Sequence, residues 1–575
     1  MSEQSLAKKD ASKPRRRFVG SKSSKPTSSS DISNVLLRNQ IPAEIYENPE
    51  LNAIIEQVLP INYSFEIHKT IHHVRKNGGK MVALQMPEGL QMFACAIADI
   101  IEKFTTALTT IMGDVTYGAC CVDDYTALAL GCDMLVHYGH SCLVPSNFTQ
   151  DIKTLYVFVE IGIDSIHVHQ TIRANLSSDR DVFRDALMSV GMGEGGEQEV
   201  KAGERIPVAG PGLRIEAPLP EPGGEKDDKV VEVLSDRKEN SNPTRLALVS
   251  TIQFVAALQR LKEDLSVAYT PASSTSATPL WTSAYEASIA RSKPLSPGEI
   301  LGCTAPRLNE EVDAIVYLGD GRFHLEAIMI ANPSVPAFRY DPYSKKLTRE
   351  RYGHKEMRSV RRDAIEGAKK SIGWIEAAGL STTVKTMDLP PTENEESNSP
   401  LWGVILGTLG RQGSFKQLQA ITNQLRESHT PIPYMPILLS ELSPAKLALF
   451  NAGRQLSSFA SEKSSSHEVQ QYSKLRSVPH PRISTFIQTS CPRLSIDWGY
   501  AFERPLLSPY ECAVVMGSGK NTEWFGTGAE ASMLEGAEGM NSKKNMGDPE
   551  DAHYPMDFYA AGSPWALSRI KGVFT

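Results

Sequence analysis

Apolar positions in this chain alternate between short continuous runs and longer stretches with a helical period. MVALQ (81–85), LTTIM (108–112) and CDMLVHYG (132–139) are short runs closed by Pro, Gly or Asp. Between the first two lies LQMFACAIADIIEKF (90–104), whose apolar residues recur at three- and four-residue spacing. The rhythm returns twice. RLALVST (245–251) precedes the helix-period stretch IQFVAALQRLKED (252–264), then LSVAYT (265–270) and VDAIVYLGD (312–320). WGVILGT (402–408) precedes SFKQLQAITNQLRES (414–428), then IPYMPILLS (432–440) and RISTFIQTS (482–490). Short β-rich runs alternating with helical segments predict βαβ units, hence an α/β fold of three similar domains with parallel sheets. Right-handed crossovers place the strand carboxyl ends along one edge of each sheet, where ligand sites lie.

Polar segments interrupt the rhythm. Residues 1–40 are Ser-, Lys- and Arg-rich and predict a disordered basic tail, whose KPRRR (13–17) fits a nuclear signal or a solvated arm. Domain 1 is expected over 41–190, a low-complexity insertion over 191–243, domain 2 over 244–390 and domain 3 over 391–517. Further insertions are expected at 270–297 and 455–473, and a polar tail at 518–575. Three domains suit a chain of 575 residues, too long for one core.

Composition narrows the class. A hydrophobic content of 41% with 22% charged residues is ordinary for a soluble protein, and a net charge of −7 gives no reason to expect nucleic-acid binding. The N-terminus has no apolar segment of secretory type, and no apolar run is long enough to span a membrane. Eight unevenly spaced cysteines do not form a secreted disulfide framework, so a reducing cytoplasm is expected.

Three of those cysteines carry the chemistry. Cys120 (VTYGACCVDD), Cys303 (EILGCTAPRL) and Cys491 (IQTSCPRLSIDWG) each follow a predicted strand, and none belongs to a CxxC pair. Brought together by folding, three single thiolates hold three irons of a four-iron cluster and leave the fourth open. A local zinc group from Cys120, Cys121, His137, His140 and Cys142 competes by ligand type but matches no standard zinc spacing. Cys95, Cys132 and Cys512 sit in apolar contexts and are expected to pack as small hydrophobes. His167 and His169 would share a face if SIHVHQ were a strand.

Glycine turns follow several strands: MPEG (86–89), GDGRFH (319–324) and GTLGRQGS (407–414). Such turns let backbone amides approach an anionic or nucleotide-like ligand, or are plain tight turns. Gln85, Gly89, Arg307, Asp320, Arg322, Gly410 and Gln412, in and around these turns and cysteines, are the candidate cofactor-binding residues. Arg307, Arg322 and Arg493 suit a carboxylate, or pair with Asp320 and Asp497 as structural bridges.

Long stretches are familiar: VALQMPEGLQMFACAIADI, GDVTYGACCVDDYTALALGCDMLVHYGHSCLVP, LSPGEILGCTAPRL, VYLGDGRFHLEAIMIANP, RYDPYSKKLTRERYGH, WGVILGTLGRQGS, CPRLSIDWGYAF and, near the end, YPMDFYA. They closely resemble the subunit 1 branch of the diphthamide synthase family over most of 39–517. The resemblance implies three α/β domains around a central cavity, each giving one cysteine, Cys120, Cys303 and Cys491, to a [4Fe–4S] cluster. Cys120 is taken over Cys121 because YGAC carries the shared motif. It further implies that the open iron binds the methionyl part of S-adenosylmethionine, whose 3-amino-3-carboxypropyl radical adds to a histidine of translation elongation factor 2. A heterodimer with the homologous subunit 2 and a small metal-binding electron donor are implied as partners. The alternatives are a cluster-bearing subunit without its own catalysis, or a Lewis-acid dehydratase resembling quinolinate synthase.

Overall fold

The computed structural model describes residues 41–113, 118–141, 143–145, 148–149, 151–191, 242–269, 280–309, 311–383, 400–451, 482–517 and 554–573. The expected tail at 1–40, the insertion at 455–473, residues 518–553 and nearly all of 191–243 lie outside that set.

Three sheets repeat one topology. With strands numbered in chain order within each sheet, all three run 2-1-3-4 across the sheet. In the first sheet these strands are Met81–Gln85, Leu108–Met112, Met134–Tyr138 and Lys153–Val157, all parallel. In the second they are Arg245–Ser250, Glu286–Ile289, Ala314–Leu318 and Ala337–Asp341, with Lys346–Glu350 added antiparallel at the edge. In the third they are Pro400–Gly407, Tyr434–Leu439, Arg482–Gln488 and Leu506–Leu507, all parallel. Central strands are covered on both faces, which is why Ala314–Leu318 is apolar throughout instead of alternating. Strand 1 lies between 2 and 3, so the order reverses there, and the crevice at its carboxyl end is where such sheets take ligands.

Each sheet is preceded by a helix that packs on it. Ile67–Asn77 buries Ile67, Ile71 and Val74 with Val82 and Leu84 of the first sheet. Ser165–Asn175 buries Val168 and Ile172 with Leu246 and Leu248 of the second. His354–Thr383 buries Met357, Ile365 and Ala368 with Trp402, Val404 and Ile487 of the third. The helices Ser165–Asn175 and His354–Thr383 thus pack with the sheet that follows each of them in the chain. Arg361 fixes the last of these helices. Its guanidinium donates to both Glu511 carboxylate oxygens at 2.6 and 2.7 Å and to the carbonyls of Ser495 and Leu506 at 2.6 and 2.7 Å, with neither charged side chain exposed.

Other expectations change in detail. LSVAYT forms no strand; Leu265 ends the helix Val255–Leu265 instead. The second strand of that unit is Glu286–Ile289, inside the segment expected as an insertion. Buried Arg173 holds that segment's approach, donating to the carbonyls of Trp281 and Ser283 at 2.9 and 2.8 Å. SIHVHQ is helical, so His167 and His169 diverge: one bonds the Tyr340 hydroxyl at 2.8 Å, the other accepts from Arg173 Nε at 2.8 Å. Cys132 and Cys512 are buried as expected, but Cys95 is exposed on the outer side of the helix Ala94–Phe104. The end of the expected polar tail is core: Tyr554, Met556, Phe558 and Trp565 are buried with the third sheet's residues, and Pro564–Lys571 is a helix. No described helix is long and apolar enough to cross a membrane.

Candidate functional site

Cys120 follows strand 2 of the first sheet, Cys303 follows strand 2 of the second, and Cys491 follows strand 3 of the third. Parallel strands running the same way put all three thiols beyond carboxyl ends. Cys120, Cys121 and Cys303 share one buried cluster with Ala119, Leu143, Leu295 and Leu301, against which Leu409 and Tyr559 pack.

The segments carrying the thiols are tied to one another. The Arg411 amide donates to the Cys120 carbonyl at 3.1 Å, and Gln412 Nε2 donates to the Cys121 sulfur at 3.2 Å. Gly410 makes this approach possible: its φ is +51°, and a Cβ there would sit 2.6 Å from the Cys121 carbonyl. The glycines of 407–413 thus serve close chain contact, a role beside the two expected of them. Arg411 adds an ion pair with buried Asp124, Nε to Oδ1 at 2.7 Å. On the other side, Gly302 beside Cys303 leaves room for the Phe323 ring, which a Cβ would strike. Arg493, two residues after Cys491, lies 4.6 Å over that same ring and donates to the Phe323 carbonyl at 2.7 Å, Glu326 at 2.6 Å and Asp497 at 2.9 Å.

The thiols act on each other electrostatically. Cys120 is raised well above an ordinary thiol by the Cys121 thiol beside it, by burial, and by Cys303 and Cys491. Burial, with Cys303 adding, pushes Cys491 up to about 12. Burial pushes Cys303 up to about 11, opposed by Thr304, Arg569 and Arg493. Among the described residues no group of three or more His, Cys, Asp or Glu is placed to hold a single metal ion. A cluster sets a different requirement, because each thiolate bonds a separate iron and the sulfurs need not meet at one point.

Beside the thiols lies a set of imidazoles with spare hydrogen-bonding capacity. Gln85, at the end of strand 1, accepts from His137 Nδ1 and the Asp123 amide through Oε1 and donates to the Cys121 carbonyl. The His137 and His140 rings stand 5.5 Å apart, and His140 in turn acts on His324, which also feels Arg493. His137 Nε2, His140 Nδ1 and His324 Nδ1 are buried with no hydrogen-bond partner among the described residues. Glu299 Oε2 accepts the Ser296 amide at 3.0 Å, and the Ser141 hydroxyl acts on the same carboxyl. Burial lowers His137 well below its ordinary value, takes His140 to about 4 and His324 to about 3, and raises Glu299. Polar atoms are rarely left this way in a packed interior, which makes this group the candidate for contacting a ligand.

Of the candidate cofactor residues, Gln85, Gly410 and Gln412 come together at the Cys120–Cys121 segment. Gly89, Arg307 and Asp320 are exposed. Arg322 is committed to Glu350 at 3.2 Å and the Arg351 carbonyl at 2.8 Å. Cys142 lies outside the described residues, and two other members of the zinc alternative have other partners: His137 bonds Gln85 and the Cys121 sulfur accepts from Gln412. The sequence reading missed Glu299, Tyr559 and Arg569, and treated His324 only as part of a glycine turn. YPMDFYA was the available signal for Tyr559, set aside because the composition around it is polar.

A family model for diphthamide synthesis proteins matches residues 86–186, 225–377 and 464–526. Subunit 1 of 2-(3-amino-3-carboxypropyl)histidine synthase from Mus musculus is 39% identical over 540 residues, 93% of this chain and 84% of that protein. The protein of that name from Homo sapiens is 40% identical over 534 residues, 92% of this chain and 83% of its own length. Two crystal structures of Dph2 from Pyrococcus horikoshii, one with a 4Fe–4S cluster, align at TM-scores of 0.45 and 0.46 with 18% and 17% identity, covering 80% of this chain and 92% of theirs. The chain belongs to the diphthamide synthesis protein family, alongside relatives named subunit 1 of 2-(3-amino-3-carboxypropyl)histidine synthase.

Proposed function

We propose that this chain is the iron–sulfur subunit of a diphthamide synthase, transferring the 3-amino-3-carboxypropyl group of S-adenosylmethionine to a histidine of translation elongation factor 2. What supports this reading is that Cys120 and Cys303, from the segments after strands of two different sheets, share one buried cluster, and that Cys491, after a strand of the third sheet, lies close enough to act on both by charge. The donor set fits a [4Fe–4S] group held by Cys120, Cys303 and Cys491. Each thiol stands on its own segment, and thiols with raised pKa values ionise when a metal takes the proton's place. When bound, such a cluster supplies a low-potential electron and an open iron.

The chain's own residues select and orient. Burial keeps His137, His140 and His324 uncharged, so they offer ring nitrogens to amino and carboxyl groups without repelling a sulfonium cation. Gln85 fixes the His137 ring and the Cys121 backbone together. Arg493, its donors occupied, holds the Cys491 segment against the Cys303 segment. Fixing the donor among these residues decides which of its C–S bonds faces the open position. Subunit 2 as heterodimer partner, a small metal-binding electron donor and a cytoplasmic location complete the reading, and the relatives' designation as subunit 1 supports a complex.

The test is metal analysis of anaerobically purified protein. Iron and sulfide should be present in the natural chain, lost in Cys120→Ala, Cys303→Ala and Cys491→Ala, and kept in Cys95→Ala and Cys512→Ala. A Cys303→Ala protein with full iron and sulfide contradicts the assignment.

A further inference from the structure

The segment 554–573 lies beyond the stretches matched by the family model, yet it reaches the thiols. Its first half is stitched to the chain just after Cys303. The Ala305 amide donates to the Met556 carbonyl at 2.7 Å, Thr304 bridges Asp557, and the Tyr559 amide donates to Thr304 Oγ1 at 3.1 Å. Its second half, the helix Pro564–Lys571, lies along the helix Phe415–Glu427. There Gln417 Nε2 donates to Ser568 Oγ at 3.0 Å, Lys416 Nζ to the Ile570 carbonyl at 2.8 Å, and Ser414 Oγ to the Arg569 carbonyl at 3.1 Å. Between these anchors, Arg569 stacks 4.4 Å over the Tyr559 ring. Its Nη2 donates to the carbonyls of Arg411, at 3.3 Å, and Gln412, the residues that hold the Cys120–Cys121 segment.

We propose that Arg569 and Tyr559 are positioning residues of the cysteine site: they clamp the 407–413 loop against the Cys303 segment and set a fixed cation facing an anionic iron–sulfur group. Two independent observations meet here. The hydrogen bonds join the 407–413 loop to the Cys303 segment through two stacked residues: the Tyr559 amide holds Thr304, and the Arg569 guanidinium over its ring holds the Arg411 and Gln412 carbonyls. The Tyr559 ring, with Arg569 stacked over it, also packs against the buried cluster that contains Cys120, Cys121 and Cys303. A half-buried cation near a group that gains negative charge on reduction favours the reduced form and so raises its potential. The clamp rests on the geometry alone; the charge role rests on the proposed function.

The test uses the full-length natural chain, Arg569→Met and Arg569→Lys, in two arms. In the metal-free chains, hydrogen exchange is followed at the amides of 409–413. Losing charge-assisted bonds of this kind should speed exchange by about tenfold or more in Arg569→Met and by less in Arg569→Lys. In the iron-loaded chains, the midpoint potential should move to more negative values in Arg569→Met and return toward the natural value in Arg569→Lys. Unchanged exchange in Arg569→Met overturns the clamp. An unchanged potential in an Arg569→Met chain that retains its iron overturns the charge role. If Arg569→Met unfolds, Tyr559→Phe replaces it; it keeps the stacked ring and loses the hydroxyl that reaches the Gln412 carbonyl at 3.5 Å, and the same exchange increase, smaller in size, is required. A natural chain that binds no iron or sulfide sinks the proposed function, while the exchange arm still decides the clamp.

Discussion

Two buried polar regions lie within this molecule and are built on opposite terms. Around Arg361 every strong donor finds an acceptor: Glu511 takes two guanidinium bonds, the Ser508 amide at 2.8 Å and the Tyr554 hydroxyl at 3.0 Å, and two carbonyls take the rest of Arg361. Around the cysteines the opposite holds: among the described residues, ring nitrogens on three histidines have no hydrogen-bond partner. Unpartnered groups in a dry interior cost stability, and a fold keeps them when something else uses them. The first region is a fastener for the long helix and the C-terminal segment. The second, on the proposed function, is a receptacle.

The largest effect should come from breaking the fastener. Arg361→Met leaves the Glu511 carboxylate buried without its cation, and about 3–5 kcal/mol of stability should be lost in denaturant unfolding. A loss below about 1 kcal/mol would mean that Glu511 is rescued by protonation or water. Next, His324→Leu removes one unpartnered group from the receptacle. The ligand-free chain should unfold at an unchanged or higher denaturant concentration, while affinity for S-adenosylmethionine falls by about ten- to a hundredfold. Lower stability with unchanged affinity would place His324 among the fasteners.

The same histidines give a pH signature. Their folded-state pKa values lie below the unfolded value of about 6.5, with His140 near 4 and His324 near 3. Unfolding then takes up protons below about pH 6.5, so stability present at pH 7 falls as the pH drops toward 4. Thermal unfolding between pH 7 and 5 should show this fall, and His324→Leu should flatten it. A natural chain and variant with equal slopes would remove His324 from that account. The smallest effect belongs to Cys95→Ala, where an exposed thiol outside both regions is removed. Stability and metal content should match the natural chain.

Fasteners and receptacle were not equally legible in sequence. The apolar runs of strands 1 and 3 in each unit, and single cysteines placed just after strands, carry their own signal. For the helices 165–175 and 354–383, periodicity shows that a face is apolar, not which sheet covers it. LSVAYT has strand composition, yet Leu265 closes the preceding helix and Glu286–Ile289 takes the strand position. Arg361 and Glu511 lie far apart in the chain and have no pattern linking them. Tyr559 and Arg569 were hidden for the same reason, within a stretch whose composition reads as a tail. What folding adds is partner choice across long separations.

The most direct test of the central claim is product analysis. The natural chain, subunit 2, elongation factor 2, reductant and carboxyl-labelled S-adenosylmethionine are incubated without oxygen. Label should appear on a histidine of the factor, with methylthioadenosine released and both absent from Cys303→Ala. Deoxyadenosine and methionine as main products, with no label on the factor, would contradict the account.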